Sequence, residues 1–144
     1  MNPNSCCKGI AFFRISTASL MLILHGLPKL QNYTALSSQF PDPLGIGSML
    51  SLTLVVFAEV FCSILVLLGV ATRLATIPLI ITMGVAFFIF HSADPFAVKE
   101  LSLFFLLSFT TLFISGTGQY PIIKKCLPKT SNSKLNYLLE RDFD

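Results

Sequence analysis

The sequence predicts an all-α, integral-membrane four-helix antiparallel bundle. Three observations carry that prediction. Hydrophobic residues make up 53% of the 144 residues and charged residues only 12%, about half the charged share of a soluble domain, and mean hydropathy is +0.76. Four apolar runs, at about 9–27, 49–68, 74–90 and 95–115, each reach the ~17–25 residues that a helix needs to cross ~30 Å of hydrocarbon. Lys8, Arg14, Arg73, Lys124, Lys125, Lys129, Lys134 and Arg141 fall on one side of such a bundle, and only Lys29 and Lys99 on the other. That split places both termini in the cytoplasm. Residues 1–121 are expected to be the membrane domain and 122–144 a basic cytoplasmic tail.

The first run follows a short lead containing Lys8 and shows no small-residue cleavage site. It is read as a retained span rather than a signal peptide. Arg14 lies one and a half turns inside it. His25-Gly26-Leu27-Pro28-Lys29 closes it, because Gly and Pro break helices. The connection from Gln31 to Ser48 is long and rich in breakers (Pro41, Pro43, Gly45, Gly47). Long loops in compact domains are often functional, so a short surface helix with a lid is expected there. The Asn32-Tyr33-Thr34 sequon within it is read as a chance match.

The second run, MLSLTLVVFAEVFCSILVLL, holds one charge, Glu59, near its middle. A carboxylate at that depth costs ~2.5–3.5 kcal/mol or more unless it is paired or protonated. Glu59 shares a helical face with Val55, Val56, Cys62, Ser63 and Val66, so that face is expected to point at the other helices. Counted from the cytoplasmic ends, Arg14 starts ~7 Å deep and Glu59 ~13 Å deep, close enough for an Arg14–Glu59 ion pair. The pair reads either as a structural lock between spans or as the setting of a proton-exchanging carboxylate.

Gly69-Val70-Ala71-Thr72-Arg73 makes a tight turn into the third run, with Pro78 one turn inside its start. Asp94-Pro95 reads as a helix start, with Asp94 as the N-cap. Lys99 and Glu100 then fall in the first turns of the fourth run, which Gly116-Thr117-Gly118-Gln119-Tyr120-Pro121 ends. Small residues, Thr82 with Ala86 and Ala71 with Ala75, suit close helix approach or contacts in a homodimer.

These placements sort the polar side chains into two layers: His25, Lys29, Asp42, His91, Asp94, Lys99 and Glu100 outside, and Glu59, Arg14 and Arg73 from the middle inward. Histidine exchanges protons near neutral pH, and a carboxylate can partner it. His25, His91 and Glu100 therefore make a candidate outer proton route or ligand anchor. The alternative is a set of interfacial side chains satisfied by water and headgroups. They come from three separate helices without a ligand spacing, so no metal site is expected. Cys6, Cys7, Cys62 and Cys126 likewise lack a CxxC spacing. The vicinal Cys6-Cys7 pair reads as two small apolar residues in a reducing compartment, or as an acylated or redox pair. The Phe-rich stretches Phe87 to Phe90 and Phe104-Phe105 read as lipid-facing, packing or cleft-lining. No basic helix or basic–aromatic patch suits nucleic acid.

Taken in order, Arg14, His25-Gly26-x-x-Lys29, Ala58-Glu59, Gly69-x-x-x-Arg73, Glu100 and Gly116-x-Gly118-x-Tyr120 make a pattern that resembles the DoxX family of small four-helix membrane proteins, over about 9–120. Pro121-Ile122-Ile123-Lys124 departs from the family's usual continuation. The resemblance implies a four-helix bundle in the plasma (inner) membrane and an association with quinone-linked redox chemistry, as in the small membrane subunit of thiosulfate:quinone oxidoreductase. On that reading Glu59, His25 and Glu100 would handle protons, and Arg14, Lys29, Arg73 and His91 would bind ligand. A quinone is the one cofactor implied. No haem, flavin or metal signature is present, so electrons would come from a membrane or soluble redox partner or from thiols, and the chain would be at most a subunit of an oxidoreductase. A non-catalytic scaffold or assembly partner is the second reading. A small-solute or proton-coupled transporter is the third, against which stand the lack of an internal repeat and of paired Gly/Pro-broken spans.

Overall fold

The computed structural model describes the backbone of residues 3–117 and the side chains of residues 8–117. The Cys6-Cys7 pair, Gly118 and Tyr120 of the glycine motif, Cys126 and the basic tail 122–144 lie outside the described side chains. Four helices are long and apolar enough to cross a membrane: Lys8–Gln31, Ser48–Leu68, Thr72–Phe90 and Phe96–Ser115, here spans 1 to 4. The chain is an all-α, multi-pass integral membrane protein, with no strand among the described residues.

The expected stop at Leu27 does not occur. Span 1 runs on to Gln31 through a wide π-helical turn at Leu22–Gly26, closed by the Leu27 N–H on the Leu22 carbonyl. Pro28 falls at the start of the α-helical turn that follows, where a missing N–H is best tolerated. Asn32 ends the span and folds its side-chain amide back onto the Pro28 carbonyl at 2.9 Å. A short helix, Tyr33–Leu36, follows, then an irregular loop over residues 37–47.

Span 2 also carries a π-helical turn, Phe57–Cys62, with Glu59 inside it. Gly69, at φ 75°, ends the span. Its N–H meets the Val66 carbonyl and the Val70 N–H meets the Leu65 carbonyl, the paired bonds of a Schellman cap. Ala71 is also left-handed, at φ 44°.

Span 3 starts at Thr72, earlier than expected, so Pro78 sits nearly two turns inside rather than one. A third π-helical turn, Ala86–Phe90, closes span 3. Asp94 is not the N-cap of span 4. Pro95 takes that position without a side-chain bond, because the Asp94 carboxylate is drawn to His91 instead.

The core gathers one stripe from each span, including Ala18, Met21, Cys62, Val66, Leu79 and Phe109. Large apolar side chains such as Phe12, Leu24, Leu74, Phe88 and Ile114 face outward, as lipid contact requires. The expected inward face of span 2 is borne out: Val56, Glu59, Cys62, Ser63 and Val66 are buried and Val55 is half-buried.

Candidate functional site

The site begins where spans 1 and 2 touch. Their π-helical turns lie against each other, and Gly26 makes that contact possible. A Cβ at position 26 would stand 2.6 Å from the Glu59 carbonyl oxygen and 2.9 Å from Val60 Cγ2. This near-contact brings the last turn of span 1 over the middle of span 2. Lys29, one turn beyond Gly26, then places its Nζ 2.6 Å from Glu59 Oε2. Glu59 is 3% exposed and Lys29 25%. The charge in the second span is therefore paired.

The partner is Lys29 and not Arg14. Arg14 is fully buried, and its Nη1 donates to the carbonyls of Val66 at 2.7 Å and Leu67 at 3.1 Å. These carbonyls belong to the last turn of span 2, where helical donors run out; that of Val66 also accepts from the Gly69 N–H, and the guanidinium adds a second bond to it. They lie about 10 Å of helical rise from Glu59, so the guanidinium finds acceptors at its own level and turns away from the carboxylate.

Above the ion pair a cavity of about 380 Å³ opens between the spans, with a largely apolar lining. Lys29, Glu59, His25 and His91 all contribute to its wall. The His25 ring stands edge-on to Phe105, with centroids 5.4 Å apart at 83°. His91 Nδ1 lies 2.7 Å from Asp94 Oδ2. Thr82 and Ala86, small residues of span 3, face the cavity, as does Phe90.

The loop after the short helix closes one side. Phe40, Pro41, Pro43, Leu44 and Ile46 line the cavity, and Asp42 between them turns the other way. Its carboxylate accepts from the Ile46 N–H at 3.0 Å, the Gly47 N–H at 2.7 Å and the Ser51 hydroxyl at 2.8 Å. These bonds hold the loop to the start of span 2, where a helix favours negative charge. The Gly47 N–H first, then the Ser51 hydroxyl, hold the Asp42 carboxyl below its ordinary range against the opposing effect of burial, with the Ile46 and Gly45 N–H groups adding to them. Farther along, the Tyr33 hydroxyl meets Thr53 Oγ1 at 2.6 Å.

The remaining candidates lie elsewhere. Arg73 is at the opposite end of the bundle, beside Gly116. Glu100 is exposed on span 4 and does not line the cavity. The structure thus brings together four of the residues singled out in the sequence, His25, Lys29, Glu59 and His91, and leaves Arg14, Arg73 and Glu100 apart from them. Asp42, Asp94, Ser51 and Phe105 gain parts that sequence reasoning did not give them. His91-x-x-Asp94 and Asp42 just ahead of Gly47 were the legible signals; for Phe105 it was the Phe104-Phe105 stretch, of whose readings the cavity wall takes the cleft-lining one. Among the described residues, no three His, Cys, Asp or Glu side chains gather as a metal site would need.

Compared with known proteins, residues 9–92 match the DoxX family model. The match takes in Arg14, His25, Lys29, Glu59, Arg73 and His91, and stops short of Glu100 and the closing glycine motif. Neither a curated protein nor a solved structure matches the chain.

Proposed function

The chain belongs to the DoxX family, and on that premise we propose that it binds a quinone in the cavity and serves as the quinone-interacting subunit of a plasma-membrane oxidoreductase, with electrons delivered by partner proteins. The cavity carries this reading. Its volume of about 380 Å³ falls within the ~300–1,000 Å³ of small-molecule pockets, and it is apolar with a few convergent polar groups. Those features fit a flat ring with polar oxygens and an apolar tail. Bound there, a quinone would supply two-electron, two-proton redox chemistry.

The chain's own residues would bind and orient it. An ammonium has three N–H donors, and Glu59 takes one from Lys29. The others are available to a ligand oxygen, while Glu59 holds the ammonium in position. His25, set edge-on against Phe105, would present its imidazole as a second polar group to the same space. The apolar loop residues Phe40, Pro41, Pro43, Leu44 and Ile46 would keep water from the ring. With eight of ten basic residues expected on the cytoplasmic side, the cavity mouth would face outward.

The test is direct. Protein purified in mild detergent is extracted with organic solvent and assayed for quinone by mass spectrometry, alongside Glu59→Gln and His25→Ala. Stoichiometric quinone in the wild type, lost in variants that remain folded, is the expected result. No quinone in the wild type, with variants that only melt at lower temperature, would overturn it and favour the second reading, a non-catalytic scaffold. The observation that favours that reading is the Lys29–Glu59 bond, which ties spans 1 and 2 together whether or not a ligand binds.

A further inference from the structure

Resting on the quinone reading, we infer that His91 and Asp94 form a proton-exchanging dyad at the rim of the cavity, in which His91 touches a ligand oxygen and Asp94 is a positioning residue. Two features place this dyad apart from the Lys29–Glu59 pair. His91 lines the cavity, yet its side chain is 25% exposed and that of Asp94 45%, so the dyad meets both ligand space and water. The His91 ring is also held from two sides. Its Nδ1 is 2.7 Å from Asp94 Oδ2, and the Phe90 ring packs against it at 4.6 Å and 72°. The backbone is fixed as well, by the His91 N–H on the Ala86 carbonyl at 2.9 Å.

The chemistry follows from the bond to Asp94. A carboxylate only accepts, so Nδ1 carries the hydrogen. Nε2 is then the site that gains or gives a proton. His25 is set edge-on to Phe105, and among the described residues no carboxylate bonds its ring. The other charged groups nearby do not take Asp94's place. Lys99 of span 4 points its ammonium to the Ser92 carbonyl at 3.4 Å and over the Phe87 ring. The Asp42 carboxylate of the loop is turned to Gly47 and Ser51. Glu100 is exposed and off the cavity. His25 and Lys29 of span 1 and Glu59 of span 2 share the cavity wall.

In the reducing direction, two electrons come from the partner redox protein. The Nε2–H bond of the imidazolium breaks and an O–H bond forms on the ligand oxygen near His91. Nε2 keeps the electron pair and takes a proton from water on the exposed side. Nδ1–H stays on Asp94 throughout. The second oxygen takes its proton from the Lys29 ammonium: an N–H bond breaks as the O–H bond forms, Nζ keeps the electron pair, and water on its exposed side returns the proton. In the oxidising direction the same steps run backward, with the partner accepting the electrons.

The chain has two histidines, so ¹⁵N NMR of histidine-labelled full-length protein in detergent resolves two rings, assigned with His25→Gln. The probe is a short-chain benzohydroquinone, whose binding is measured in parallel by equilibrium dialysis. The expected result is a His91 ring in the Nδ1–H form whose Nε2 resonance shifts on saturation. Asp94→Asn should abolish the single tautomer and at least halve that shift, with affinity changed less than about threefold; Asp94→Glu should restore both. Binding with His91 Nε2 unmoved, or a shift unchanged in Asp94→Asn, would overturn the dyad and leave the quinone reading standing. No binding to the wild type would overturn the reading itself and the dyad with it.

Discussion

At the scale of single residues, the decisive feature is which cation meets Glu59. Lys29 is 25% exposed and Glu59 3%, so the pair is nearly buried and its two members are not equivalent. Removing the cation leaves a carboxylate inside the bundle, whereas removing both charges leaves none. Breaking a buried pair costs about 3–5 kcal/mol, while replacing both members is often close to neutral. Lys29→Met should therefore destabilise the protein by about that amount, and Lys29→Met with Glu59→Gln should recover much of the loss. Thermal unfolding of the wild type, the two single variants and the double variant in one detergent measures the coupling. Equal, additive losses would mean that the two side chains do not depend on each other.

Asp42 supports a second prediction at this scale. Its carboxyl titrates below its ordinary value because backbone and hydroxyl donors favour the ionised form. With the folded pKa depressed, the stabilisation is present above the unfolded pKa of about 3.9 and is lost as pH falls through the folded value. The loop over residues 37–47 should stay closed at neutral pH and loosen in acid. Asp42→Asn should loosen it at neutral pH and remove the acid dependence. Hydrogen exchange of the loop amides against pH reports both; exchange that is the same in wild type and variant would contradict this role.

At the scale of elements, the π-helical turns explain much of what differs from the sequence reading. Pattern and length made the spans legible: four apolar runs, and a Glu59 face that is buried as its spacing requires. The boundaries were harder. Gly26 and Pro28 read locally as an ending, but the wide turn at Leu22–Gly26 lets span 1 continue past them to Gln31. That extra length carries Lys29 toward Glu59. No spacing rule on either span alone announces the meeting, because it depends on how closely the two backbones approach. Arg14 was the partner that depth pointed to, and it was lost to the carbonyls of Val66 and Leu67, backbone groups that no side-chain pattern displays.

The close approach itself gives a prediction for the element pair. Gly26→Ala would place a methyl group 2.6 Å from the Glu59 carbonyl oxygen, a backbone atom that no side-chain rotation can move aside. Overpacking of this kind costs about 1–3 kcal/mol. It should also draw Lys29 away from Glu59. A lower unfolding temperature, together with a weakened Lys29–Glu59 coupling in the same mutant cycle, is expected. Unchanged stability and coupling would mean that the helices adjust without loss.

At the scale of the whole molecule, the bundle separates two kinds of polar work. Arg14 and Arg73 serve helix ends and turns at one end, and His25, Lys29, Glu59 and His91 surround a cavity at the other. The sequence sorted these groups into layers, but it could not display the cavity, which is made by four spans and the loop over residues 37–47 together. Nor could it tell His91 from Glu100 as a neighbour of that space. The central claim is that the cavity is a ligand site, and a substitution that fills it without touching any charge tests this most directly. Ala86 lines the wall, within the last turns of span 3. The measurement is the affinity of a short-chain quinone for the wild type and for Ala86→Phe, by equilibrium dialysis in detergent, with unfolding temperature as the control. Affinity at least about tenfold weaker, a change of roughly 1.4 kcal/mol, at an unchanged unfolding temperature is the result expected of a ligand site. Equal affinity in the two proteins, or no measurable binding to the wild type, would contradict it.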